Sequence, residues 1–223
     1  MTEAIAQVLP FAVGIMVSPI PIIAVILMLF TERARINGPL FLLGWVAGLA
    51  ALAVVAYSVA HALGWGSGST EDDAQVTFWR ILLGLVLLVL AARKWRKAID
   101  PDAVDELPPW MSRIDGMTPA RALGTGVVLS ALNPKNLALG LGAMTGLAAL
   151  GAPTNEAAAG IIAFVVVASI TVAAAVVYHA VGGARSQRTL DAARTWLASH
   201  NDAVMAVLLL VFGVLLVSQG LAG

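Results

Sequence analysis

Apolar residues fill six stretches of the chain, near positions 4–30, 39–63, 78–92, 122–150, 156–182 and 203–221, and polar residues collect between them. A bilayer crossing needs roughly 20 mostly apolar residues. The pattern therefore predicts six membrane spans, the third of them short. Two of the stretches, the first and the fourth, are interrupted by the same kind of break.

In the fourth stretch the break is Asn133-Pro134-Lys135-Asn136, and in the first it is Ser18-Pro19-Ile20-Pro21. Ser and Asn are preferred helix N-caps, and Pro is preferred at the first helical position. Each break thus reads as one helix ending and another beginning inside the membrane. A first half-helix from Arg121 would place the Asn133 break roughly 18 Å along its axis, near the bilayer midplane. Cap aligns with cap, and Pro19 with Pro134.

Charge then orients the spans. Arg33, Arg35, Arg93, Lys94, Arg96, Lys97, Arg113, Arg121, Arg185, Arg188 and Arg194 all fall in three connections that alternate with the others. Excess Lys and Arg mark cytoplasmic loops, so those connections are expected inside and both termini outside. Arg80 alone lies toward the other side, next to the acidic Glu71-Asp72-Asp73. Spans one to three and four to six then have opposite topology, the inverted-repeat plan of many secondary transporters.

The expected fold is an all-α membrane protein of six transmembrane helices in a 3+3 inverted repeat, with helices one and four broken near the midplane. It forms a single membrane domain over 1–223. Repeat one covers about 1–97, a polar cytoplasmic connection about 98–119, and repeat two about 120–223. Within the second repeat, 185–200 carries Leu190, Ala193 and Leu197 at helical spacing, which predicts a short amphipathic interfacial helix.

Composition narrows the chemistry. The 223 residues are 60% hydrophobic and include no cysteine, which removes disulfides, thiol redox chemistry and Cys metal sites. The N-terminus has Glu3 and no basic residue before its apolar run, so the first stretch is read as a permanent span rather than a cleavable signal. No nucleophile and base pair or metal-ligand cluster is evident. No enzyme activity, cofactor, metal or nucleic-acid partner is expected.

Lys135 is the one charge deep in an apolar stretch, and intramembrane charges usually mark a pathway. Helix N-termini attract anions through free N–H groups and the macrodipole. Two N-termini converging with Lys135 make an electropositive centre, and no carboxylate lies in the core of any stretch to bind a cation. The candidate substrate-binding residues are Lys135, Asn133, Asn136 and Ser18, with Pro19, Pro21 and Pro134 shaping the breaks. The structural alternative is that Lys135 snorkels or bonds loose carbonyls at the break.

Other signals are weaker. His61 and His179, near Tyr57 and Tyr178, read as ordinary interfacial histidines, with a proton relay as the alternative. Gly44-x-x-x-Gly48 and Gly142-x-x-x-Gly146 permit close helix packing. The 93–97 cluster reads as a topological anchor that could also attract anionic lipid.

Leu107-Pro108-Pro109-Trp110-Met111-Ser112-Arg113-Ile114-Asp115-Gly116-Met117-Thr118-Pro119, followed by Ala131-Leu132-Asn133-Pro134-Lys135-Asn136-Leu137, resembles the glycolipid and peptidoglycolipid addressing (GAP) family of the lysine-exporter superfamily. The resemblance implies an energised exporter of cell-envelope glycolipids in a bacterial inner membrane, with Asn133, Pro134, Lys135 and Asn136 as its central motif. The lack of an intramembrane carboxylate argues against carboxylate-based proton coupling, leaving Lys135, a histidine or a substrate gradient.

The leading expectation is a transporter of an anionic lipid or lipid-linked sugar, with membrane lipids as its surroundings. An exporter of a small soluble solute such as an amino acid is the second reading. A membrane adaptor recruiting envelope-synthesis proteins through 98–119 is the third. A homodimer is the expected assembly, because six spans make little wall around a bulky substrate.

Overall fold

A computed structural model describes residues 1–64, 70–100 and 116–222, leaving aside the side chains of 70–73, 184 and 222. Most of the 98–119 connection, including the 107–115 part of the motif quoted above, and the loop at 65–69 lie outside the described residues.

Every described element is helical: α1 (Thr2–Met16), α2 (Pro19–Leu29), α3 (Ala34–Ala62), α4 (Thr70–Ala98), α5 (Pro119–Ala131), α6 (Pro134–Ala149), α7 (Thr154–Ser199) and α8 (Asn201–Ala222). Among the described residues, four segments have the length and apolarity to cross a membrane, namely Ala34–Ala62, Ala74–Ala98, Thr154–Gly183 and Asn201–Leu221. The α1 and α2 pair, bent by 54°, makes a fifth as one broken span. The chain is a multi-pass membrane protein. The α5 and α6 pair is not among these segments, since its polar Asn133 to Asn136 break dilutes its apolar content.

The third span is longer than its apolar run of 78–92. Nothing in Arg93-Lys94-Trp95-Arg96-Lys97 breaks a helix, and Arg and Lys are good helix formers, so α4 continues to Ala98. At its end Lys94 and Lys97, one turn apart, both reach Asp202 in the first turn of α8, Lys97 at 3.1 Å. Lys94 and Lys97 therefore do more than anchor the helix. They tie its end to α8.

Helix α7 is interrupted at Gly183, whose φ of 52° and ψ of −143° suit only glycine. Beyond it the amphipathic segment folds over the bundle, with Ser186 and Leu190 buried and Leu197 partly buried. Ala193 is exposed, so the packed stripe passes through 186, 190 and 197 instead.

Close backbone approach fixes two helix pairs. On α3, a side chain at Gly44 would strike the Leu123 carbonyl of α5, and one at Gly126 of α5 would strike the Phe41 carbonyl. Gly84 of α4 and Gly213 of α8 face each other reciprocally: a Cβ on either would sit 2.9 or 3.1 Å from the other's carbonyl oxygen. Small residues at such crossings let backbones meet where no water exists to drive association. Gly142 instead makes room for the Leu216 and Phe11 side chains, and Gly146 for that of Gln7.

Helix α1 packs on α6 and α7, α2 on α7 and α3, α3 on α5, α6 and α7, and α4 on α8. One hydrophobic core, with Phe11, Phe41, Trp45 and Phe164 fully buried, draws on all eight helices. The two ends of the bundle differ. At one end Asn37 donates to the Met117 carbonyl at 2.9 Å, joining the starts of α3 and α5, and Asp202 joins the end of α4 to the start of α8. At the other end the amino terminus pairs with Glu156 at the start of α7, and Ala60, Val76 and Ala148 cluster where α3 ends, α4 begins and α6 ends.

Candidate functional site

The two breaks have nearly the same backbone. Ser18 sits at φ −68°, ψ 119° ahead of Pro19, and Asn133 at φ −71°, ψ 122° ahead of Pro134. Both are extended N-caps with proline at the first helical position, because proline forbids continuation of the preceding helix yet fits the first turn of the next. Proline also removes an N–H. The carbonyls four residues back are left to find other donors.

Those donors come from the site residues. In an unbroken helix the Gly14 carbonyl would accept from the Ser18 N–H, which turns instead to the Ile15 carbonyl at 3.1 Å. Lys135 Nζ takes its place, donating to the Gly14 oxygen at 2.7 Å. Thr171 of α7 donates to the next exposed carbonyl, that of Met16, at 2.6 Å. At the second break Asn136 Nδ2 donates to the Leu129 and Ser130 carbonyls at 3.2 and 3.1 Å, capping the end of α5 from the first turn of α6.

The caps themselves differ. Asn133 Oδ1 accepts from the Lys135 N–H at 3.0 Å, capping the α6 start. Ser18 makes no cap hydrogen bond, and its buried Oγ has no partner among the described residues. Asn136 Oδ1 is likewise buried and unpartnered. Two polar atoms left over beside helix N-termini are available to a ligand, since buried polar groups otherwise find partners.

The site residues therefore do not all share one position. Lys135 (3% exposed), Asn136 (0%) and Ser18 (1%) are enclosed. Pro19 and Pro21 are buried with Ser18, whereas Asn133 is half-buried and Pro134 exposed next to Leu132, on the outer wall of the bundle. Lys135 bridges the first turn of α6 to the last turn of α1, joining the halves of the chain. Its ammonium has three donors, and only the bond to Gly14 is found among the described residues.

An apolar groove of about 390 Å³ lies beside Val17, the residue before Ser18, and is lined further by Trp196, His200, Ala203, Val204, Val207 and Leu208. It lies between the α1 end and the start of α8. Neither histidine singled out above enters the breaks: His61 stacks on Tyr57 with ring centroids 6.0 Å apart, and His179 lines a separate cavity. No group of three or more His, Asp or Glu side chains placed to hold a metal ion occurs among the described residues.

Sequence reasoning did not single out Gly14, Thr171 or Asp202. The hydroxyl of Thr171, within an apolar run, was the available signal for one. For Asp202, 3% exposed, the signal was an acid in a first helical turn, where acids favour the macrodipole.

No curated protein and no solved structure matches the chain. A family model does. Described as Sap, sulfolipid-1-addressing protein, it matches residues 8–222, so the chain belongs to that family, the GAP group that its motif stretches resemble.

Proposed function

We propose that the protein exports an anionic cell-envelope lipid or glycolipid across the inner membrane, by alternating access around its paired helix breaks. The observation that carries this reading is the bridge from Lys135 to the Gly14 carbonyl, where a positive donor in one half closes the broken helix of the other. An anionic headgroup competes for that donor and for the unpartnered Ser18 Oγ. Taking Lys135 from Gly14 frees the end of α1 to move against α6.

The α5 and α6 pair is the sixth crossing in this account, because α5 starts beside α3 at one end of the bundle and α6 ends beside α3 and α4 at the other. Exchanging α1 with α5, α2 with α6, α3 with α7 and α4 with α8 supports an inverted repeat. Under that exchange α1 on α7 becomes α5 on α3, α2 on α7 becomes α6 on α3, and the α4–α8 and α3–α7 pairs map to themselves. The basic end is cytoplasmic by the charge rule, with both termini outside.

A lipid is favoured over a soluble solute by the apolar side groove at Val17, where acyl chains can stay in the membrane while the headgroup enters. The family's name, sulfolipid-1-addressing, supports an anionic envelope lipid of that kind. The enclosure of Lys135, Asn136 and Ser18 favours the second reading, a small soluble solute such as an amino acid. The protein acts in neither case as an enzyme.

The cellular test is to replace the protein by Lys135→Gln and separate surface-extractable from total anionic glycolipid. Accumulation inside with depletion at the surface is expected. Normal surface lipid with the variant present at wild-type level would reject the reading.

A further inference from the structure

A second cavity, of about 610 Å³, lies at the basic end of the bundle, between the turn joining α2 to α3 and the kink of α7. Its walls include Phe30, Arg33, Arg35, Ile36, His179 and Gln187. The α7 wall exists because Gly183 takes a positive φ there, turning the following segment across the mouth. Binding sites for drug-sized ligands span roughly 300–1,000 Å³, so the space exceeds what a bare phosphate or sulfate needs.

Its charged groups among the described residues are two arginines and one acid. Arg33 and Arg35 make no ion pair among the described residues, and His179 Nδ1 is buried without a partner. Glu32 is the one acid on the wall among the described residues. An adjoining space of about 390 Å³ adds Arg188, and its Asp191 is already paired with Arg194 at 3.0 Å. Phe30 and Ile36 are exposed, offering apolar contact beside the guanidinium groups.

We propose that this cavity is a headgroup site for an anionic lipid whose headgroup carries a sugar or polyol, and that it is distinct from the helix breaks. Arg33 and Arg35 hold the sulfate or phosphate, since guanidinium matches such oxyanions. His179 and Gln187 meet the hydroxyls, and the acyl chains leave past Phe30 and Ile36 into the bilayer. The site rests on the lipid-export reading for its role as a cytoplasmic loading point, but its occupancy can be measured separately.

The test is native mass spectrometry of purified protein titrated with phosphatidylinositol, phosphatidylglycerol and phosphatidylcholine, with free inositol phosphate as the soluble competitor. Arg33→Gln with Arg35→Gln should lower phosphatidylinositol retention at least tenfold, while Arg93→Gln with Arg96→Gln, exposed cations at the same end, should not. The Arg33→Lys, Arg35→Lys pair should recover part of the loss, which separates charge from folding. Lys135→Gln, which takes away the headgroup contact at the helix breaks, should still retain one phosphatidylinositol through the arginine pair.

Equal loss in both arginine pairs, or none in either, would overturn the site. So would free inositol phosphate competing as well as the lipid, which would make the cavity a soluble-anion site. Lipid lost only in Lys135→Gln would overturn it while leaving the export reading intact. Lipid bound as described, with no export from any variant, would retain the site and reject export.

Discussion

Lys135 Nζ lies 2.7 Å from the Gly14 carbonyl oxygen, a contact between residues 121 apart in the chain. It places the one charge deep in an apolar stretch on a carbonyl that the Ser18-Pro19 break strips of its helical donor. Charge and break are parts of one joint. On the export proposal, a bound anion and the α1 end compete for the same ammonium.

That competition sets the first prediction. Lys135→Met removes a donor and leaves the Gly14 oxygen unpaired, costing about 1–3 kcal/mol, but it also removes a buried charge worth roughly 2.5–3.5 kcal/mol of insertion penalty. Thermal unfolding in detergent should therefore shift little while export is lost. A purely structural lysine would give the reverse, with a lower midpoint and retained export.

Substitutions at the α3–α5 crossing separate close packing from glycine content. Gly44→Ala drives a Cβ into the Leu123 carbonyl, whereas nothing lies within 4 Å of a Cβ at Gly124. Overpacking of this kind costs about 1–3 kcal/mol. Gly44→Ala should lower the thermal midpoint, and Gly124→Ala should match or exceed the wild type.

At the basic end, Asp202→Asn unpairs both Lys94 and Lys97. Breaking a fully buried pair costs more than an exposed one, and these lysine side chains are 33% and 44% exposed, so the expected loss is about 1–3 kcal/mol. Lys97→Gln should cost less, since Lys94 stays in place. Denaturation of the two variants side by side checks the order.

Much of this was readable from the chain. Ser18-Pro19 and Asn133-Pro134 announce helix starts because capping and proline chemistry are local, and the structure has N-caps at both. The partner of Lys135 was not readable, since nothing near Gly14 in sequence records which distant donor meets its carbonyl. The apolar run stops short of the end of α4 because its last turns are charged, and two of those charges, Lys94 and Lys97, pair with Asp202 on another helix. Periodicity alone puts Ala193 in the packed stripe, but Gly183 sets the direction in which that segment lies on the bundle, and Ala193 is left exposed.

Gly183→Ala isolates that kink. No atom lies within 4 Å of the added Cβ, so the penalty is backbone strain alone, about 1–3 kcal/mol. Amide hydrogen exchange should rise across 184–199 with the spans left protected. Unchanged exchange there would mean that the kink is not held by the glycine.

The most direct measurement is lipid movement by the purified protein in sealed vesicles, following a fluorescent anionic glycolipid from one leaflet to the other by surface quenching. Wild-type protein should move it faster than protein-free vesicles, leave a labelled phosphatidylcholine in place, and lose the activity in Lys135→Gln. A Lys135→Gln protein that moves the anionic lipid as fast as wild type would contradict the account.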